Sequence, residues 1–141
     1  MTTRTTAVAP PRADGEQERQ TRRYWGSMEP PTSKAEFFSA VTAPALEGSE
    51  ATVATIRMYG PIDSYGGWWG ISTEDVARVL DALPTSVEQI ILRINSPGGE
   101  VWEAMAILNM LGAHRARVTA VVDGIAASAA SFIAASCDET V

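Results

Sequence analysis

The sequence predicts an α/β fold, a layered arrangement of repeated β-α units with parallel strands behind a loosely ordered N-terminal arm. Three observations carry that prediction. From Thr52 onward, short β-rich apolar runs alternate with segments of helical spacing in the order β-α-β-α-β-α. That alternation, with short links, calls for parallel strands joined by right-handed crossovers. Two of the links are bare corners, Ser96-Pro97-Gly98-Gly99 and Gly124-Ile125-Ala126-Ala127. Finally, 141 residues of which 45% are hydrophobic supply one packed core rather than two domains.

Residues 1–50 read as the arm and residues 51–141 as the domain. The first stretch contains Pro10, Pro11, Pro30, Pro31 and Pro44, and its acids and bases nearly cancel. Such a composition buries too little apolar surface to offset chain entropy, so a disordered or extended arm is expected. Tyr24-Trp25 and Phe37-Phe38 are its only aromatic patches.

The domain opens with Val53–Met58 as a strand, ended by the turn signal Tyr59-Gly60-Pro61. After the loop SYGGWWG, Ser72 caps a helix whose first turn carries Glu74 and Asp75. Val76, Val79, Leu80 and Leu83 recur at helical spacing, and Pro84 stops the run. Gln89–Ile94 is a nearly continuous apolar strand, as expected of one buried on both faces. A helix follows from Glu100 to about Leu111, with Met105, Leu108 and Leu111 as its core stripe and Gly112 as its C′ residue. Arg117–Val122 is the third strand. Ala126 to about Ser136 is a helix of very small residues that can approach its neighbours closely. Asp63 and Asp123 follow strands and are expected to serve turns.

Composition narrows the chemistry. A net charge of -6 opposes a nucleic-acid surface. One cysteine, Cys137, and one histidine, His114, exclude an internal disulfide and make no structural zinc site. No apolar run reaches membrane-spanning length, and the N-terminus has no signal-type core, so a cytoplasmic protein without membrane contact is expected. No GxxxxGK[ST] loop occurs, and no cofactor is expected.

Chemistry is expected at the two corners, because strand carboxyl ends and helix N-termini present unpaired N–H groups. Gly98 and Gly99 bend tightly and leave their amides uncovered, facing an anion or a developing oxyanion. Ser128, at the start of the last helix, presents its hydroxyl among neighbours too small to obstruct a substrate. The N–H of Ala129 then completes an oxyanion hole with a glycine amide. This follows the logic of a nucleophile elbow, although G-x-S-x-G is absent. Ser131 and Ser136 compete with Ser128, and close packing alone also accounts for the small residues. Trp68, Trp69 and Trp102 suit a peptide groove or an apolar contact surface.

INSPGGEVWEAMAILNML, followed about thirty residues later by VDGIAASAAS, resembles the proteolytic subunit of the Clp serine proteases. The style is that of the Clp-related head-maturation (prohead) proteases of tailed bacteriophages. The resemblance runs from about Val53 to the C-terminus and includes RMYGPID. It implies a Clp/crotonase-type fold, a homo-oligomeric ring and a polypeptide substrate. It also implies an ATP-dependent unfoldase or phage capsid and scaffold proteins as partners. By resemblance Ser128 is the nucleophile, and Gly99, with Gly98 as a second possibility, and Ala129 supply the oxyanion-hole amides.

The family's histidine follows its serine by some twenty-five residues, whereas thirteen residues follow Ser128 here and none is His. His114 precedes the third strand, which spans roughly 20 Å, so it is expected beyond reach, as a helix-end cation beside Arg115. Asp138 and Glu139 are equally poor partners. The expectation is therefore an N-terminal portion of a protease domain, lacking the base and inactive alone, with apolar sheet surface exposed. Two alternatives remain open: a non-catalytic or truncated ring subunit, and a crotonase-like acyl-CoA enzyme.

Overall fold

A computed structural model describes residues 38–66 and 70–141 of the chain. Its order is β1 (Phe38–Pro44), β2 (Thr52–Tyr59), α1 (Thr73–Ala82), β3 (Val87–Ser96), α2 (Val101–Ala113), β4 (Arg117–Ala126), α3 (Ala129–Ser136) and β5 (Glu139–Thr140). The five strands form one sheet in sequence order. β2 through β5 are parallel and β1 pairs with β2 antiparallel. Stepping always to the next strand with right-handed crossovers puts all three helices on one face.

The core lies between that face and the helices. Ala54, Ile56 and Met58 of β2 point into it, as do Ile90, Leu92 and Ile94 of β3 and Val118 and Ala120 of β4. Val76 and Leu80 come from α1, Ala104, Ile107 and Leu111 from α2, and Ala129, Ala130, Ile133 and Ala134 from α3. Truncating Ile107, which is fully buried, to alanine is expected to destabilise the domain by about 2–5 kcal/mol in urea unfolding.

α1 starts as its sequence requires. Ser72 Oγ accepts the Asp75 N–H at 3.2 Å and Asp75 Oδ2 accepts the Ser72 N–H at 3.0 Å, a reciprocal capping box. Glu103 Oε2 accepts the Thr73 N–H at 2.6 Å, tying the first turn of α1 to α2.

Several expectations are corrected. Phe38–Pro44 was read as part of the arm, yet it forms β1, with Phe38 buried. Backbone pairing with β2, which local composition does not encode, holds it there. Residues 1–37 lie outside the described residues. α2 runs through Gly112 to Ala113, so Gly112 is helical and not a left-handed cap. Met105 faces outward at 45% exposure, because Ala104, Ile107 and Leu111 make the inward stripe. β4 extends to Ala126, and α3 begins only at Ala129.

β3 alternates instead of being buried on both faces, with Arg93 exposed between Leu92 and Ile94. Arg57 and Arg93 share a register position on the face away from the helices. Arg93 ion-pairs with Asp123, whose Oδ2 also accepts the Tyr59 hydroxyl at 2.5 Å. Asp123 is thus a strand residue holding an ion pair, not a turn residue. Its guanidinium and phenol partners keep its carboxyl below the usual range. Asp63 does serve a turn, its Oδ1 accepting the Tyr65 N–H at 2.8 Å. The large exposed apolar side chains include Trp102, Met105 and Phe132 on the helices. Among the described residues no helix is long and apolar enough to cross a membrane.

Candidate active site

The carboxyl ends of β3 and β4 meet at the two corners, and the last residues of β3 hold both. Buried Ser96 accepts the Ala127 N–H on its carbonyl at 3.0 Å and the Gly98 N–H on its Oγ at 3.1 Å. Asn95 Oδ1 accepts the Ile125 N–H at 3.3 Å. A Cβ at Gly124 would stand 2.7 Å from that same oxygen, so the second corner closes against Asn95 only because position 124 lacks one. Neither Asn95 nor Ser96 was singled out from the sequence. The available signal was two short polar side chains immediately before the Pro97-Gly98-Gly99 corner.

The glycines make the contact possible. Gly98 has φ +92°, and a Cβ there would lie 2.6 Å from the Ala127 carbonyl oxygen and 2.9 Å from the Ser128 Cβ. The first corner therefore rests directly on the peptide units flanking Ser128. Gly99 has φ +151° and turns toward Ile62, whose carbonyl oxygen would be 2.0 Å from an added Cβ. Ile62 is clamped there, donating to the Gly98 carbonyl at 2.9 Å and accepting the Glu100 N–H at 3.0 Å.

Ser128 is the one non-glycine residue with positive φ among the described residues, at φ 49° and ψ -127°. Such a conformation costs on the order of 1–3 kcal/mol and persists only where its surroundings enforce it. The residue is exposed, and its hydroxyl makes no capping hydrogen bond. Next to it, the N–H of buried Ala129 has no hydrogen-bond acceptor among the described residues, and neither has the N–H of Gly99. The Gly98 amide, by contrast, is committed to Ser96 Oγ. The competing serines are engaged: Ser131 Oγ donates to the Ser128 carbonyl at 2.5 Å, and Ser136 Oγ to the Ile133 carbonyl at 2.9 Å. At the touching corners stand an exposed hydroxyl on a strained residue and two peptide N–H groups without an acceptor among the described residues.

The other residues considered lie elsewhere. His114 caps the C-terminus of α2, at the opposite end of β4 from Ser128. Its place at the helix end is the expected one, but its charged form is disfavoured. Its Nδ1 accepts the Ala116 N–H at 3.1 Å, and burial, then the nearby Arg115 charge, push its pKa below 6.5. The unfolded chain therefore takes up this proton first as pH falls below 6.5. Stability should drop between about pH 7.5 and about 5.5, with a shallower drop in His114→Asn, by urea unfolding. A stabilising helix-end cation would give the opposite slope.

His114 lines a cavity of about 300 Å³ with Arg115, Arg117, Cys137 and Asp138. Burial, reinforced by Asp138, pushes the Cys137 thiol up to about 11. Asp138 Oδ2 accepts the Val118 N–H at 2.7 Å, and Glu139 pairs with Arg117 at 3.5 Å. Trp68 and Trp69 lie outside the described residues. Trp102 stands exposed on the first turn of α2. No group of three or more potential metal ligands occurs among the described residues.

A ClpP1 mutant from Listeria monocytogenes is 30% identical over 56% of this chain, with a TM-score of 0.48. The chain spans 43% of that protein's length. No curated protein sequence matches. The family model described as Clp protease matches residues 52–140, which include both corners and the strands that carry them. On that match, the chain belongs to the Clp protease family.

Proposed function

We propose that this domain carries the nucleophile and oxyanion hole of a Clp-type serine endopeptidase. Ser128 Oγ attacks a peptide carbonyl, and the N–H groups of Gly99 and Ala129 receive the oxyanion. The observation that carries this is the strained, exposed Ser128 packed on the Gly98 corner, the only serine of α3's vicinity whose hydroxyl is not spent on the backbone. Strain of that kind at a functional corner holds the hydroxyl outward and aims the following N–H at the same point. Of the two glycines, Gly99 supplies the amide, because Gly98 donates to Ser96.

Attack forms the Oγ–C bond, and collapse of the tetrahedral species breaks the C–N bond. The Oγ proton must be taken up and the leaving nitrogen must receive one. His114 is at the wrong end of β4 to do either, so the described residues supply two of the three functions that peptide hydrolysis needs. The proposed substrate is a polypeptide, and the proposed assembly is a homo-oligomeric ring. Exposed Trp102, Met105 and Phe132 support such association. The phage head-maturation subtype, cleaving capsid or scaffold proteins in the host cytoplasm, is the version that the two corner motifs resemble most. A second reading, a ring subunit with an inert Ser128, is favoured by the position of His114.

An activated ester separates the two readings. A p-nitrophenyl acyl ester needs no protonation of its leaving group, and hydroxide in alkaline buffer takes the serine proton. The 141-residue chain should acquire one acyl group that peptide mapping places on Ser128. Oxyanion stabilisation without a base leaves roughly 10³–10⁴-fold over water, while deacylation, which needs a base to activate water, stays slow. The adduct therefore accumulates, and Ser128→Ala should abolish it. No adduct, or an adduct on Ser131 or Ser136, would overturn the assignment.

A further inference from the structure

We infer that Ser131 is a positioning residue for the oxyanion hole, a role that rests on the reading of Ser128 and Ala129 above. The Ser128 carbonyl accepts two hydrogen bonds, from the Ser131 N–H at 2.9 Å and from the Ser131 Oγ at 2.5 Å. That carbonyl belongs to the peptide unit whose other end is the Ala129 N–H. A peptide is planar and trans, so fixing the direction of its C=O fixes the direction of its N–H, which points the opposite way. Two donors on the oxygen thus hold the N–H outward, toward the space beside Ser128.

The second donor has a specific task here. With φ 49° and ψ -127°, Ser128 sits in a strained conformation that a flip of the 128–129 peptide would relieve by carrying ψ into the left-handed region. That flip would carry the Ala129 N–H off target. Ser131 Oγ opposes it from an exposed position one turn along α3, where a serine side chain reaches an i−3 carbonyl. Hydrogen bonding at the oxygen also polarises the amide and strengthens its N–H as a donor. Serine at 131 therefore does more than fill a surface position of the helix: its hydroxyl is the counterweight to the strain at 128.

The test follows ester acylation of the 141-residue chain, separating the maximal acylation rate from the half-saturating ester concentration. Losing an oxyanion donor outright lowers rates about 10²–10³-fold, and the remaining Ser131 N–H still holds the carbonyl, so Ser131→Ala should slow acylation by about tenfold. The half-saturating concentration should stay unchanged, since only the transition state gains from the aimed N–H. Ser131→Thr, which keeps the hydroxyl, should recover most of the rate. Position 131 is exposed and alanine favours helix, so both variants should fold, as urea unfolding will register. A rate for Ser131→Ala within about twofold of the parent, or a threonine variant as slow as alanine, would overturn the positioning role. So would a change confined to half-saturation. Ser128→Ala run alongside distinguishes the two proposals: adduct that survives it sinks the site itself, whereas its loss together with an unimpaired Ser131→Ala sinks only this inference.

Discussion

Replacing Ser128 with glycine is expected to make the protein more stable and to abolish its acylation. The backbone at φ 49° and ψ -127° is the first central position of a type II′ turn, where glycine is at ease and a side chain is not. Relief of strain worth roughly 1–3 kcal/mol, less about 0.5–1 kcal/mol for the freer unfolded chain, leaves a gain of roughly 0–2.5 kcal/mol. Ser128→Ala keeps the Cβ and hence the strain, so its stability should match the parent within about 0.5 kcal/mol while its acylation is equally lost. Urea unfolding of the pair, with mass mapping of the adduct, separates strain from chemistry. A glycine variant less stable than the alanine variant would show that position 128 is comfortable as it stands, removing the argument for a corner held under tension for function.

The largest loss of stability is expected at Gly99. An alanine Cβ would be placed 2.0 Å from the Ile62 carbonyl oxygen, an atom held by the Glu100 N–H. Ile62 is itself fully buried and bridges Ile71 and Gly99, so it has nowhere to retreat. Overpacking against immovable backbone, added to φ +151°, should cost roughly 3–5 kcal/mol. That is a large share of the 5–15 kcal/mol typical of a domain. Gly98→Ala meets the Ala127 oxygen at 2.6 Å and should also be severe, with the added effect of displacing Ser128. Gly112→Ala is the control: nothing lies within 4 Å of its Cβ, and it sits inside α2, so it should stabilise by about 0.5–1 kcal/mol. Equal tolerance at 99 and 112 in chemical denaturation would mean that the first corner is far looser than its contacts imply.

The residues that sequence reasoning placed well are those whose structure is local. The capping box of α1 is written in Ser72 and Asp75, which meet through three bonds of the same chain turn. The glycine corner after β3 and the small-residue corner after β4 announce themselves because few other residues allow such bends. Misplaced features depended on what lies across the fold. β1 exists through its pairing with β2. Asp123 is a strand residue because Arg93 and Tyr59 stand beside it, although thirty and sixty-four residues away in sequence. The charged form of His114 is disfavoured by burial, which is a tertiary fact, while its bond from the Ala116 amide is local. Met105 and Ile107 are both apolar, and only the rotation of α2 against the sheet decides which one is buried.

The amino-acid order alone determined the β-α alternation, the two bare corners and the presence of a serine at the start of the last helix. Periodicity, capping and glycine's backbone freedom act over a few residues and are legible within them. Only the tertiary structure decided that the two corners touch, that the Ser96 carbonyl takes the Ala127 N–H and that Asn95 Oδ1 takes the Ile125 N–H. Those outcomes depend on the register between β3 and β4, which packing of the whole core sets and no short stretch of sequence carries.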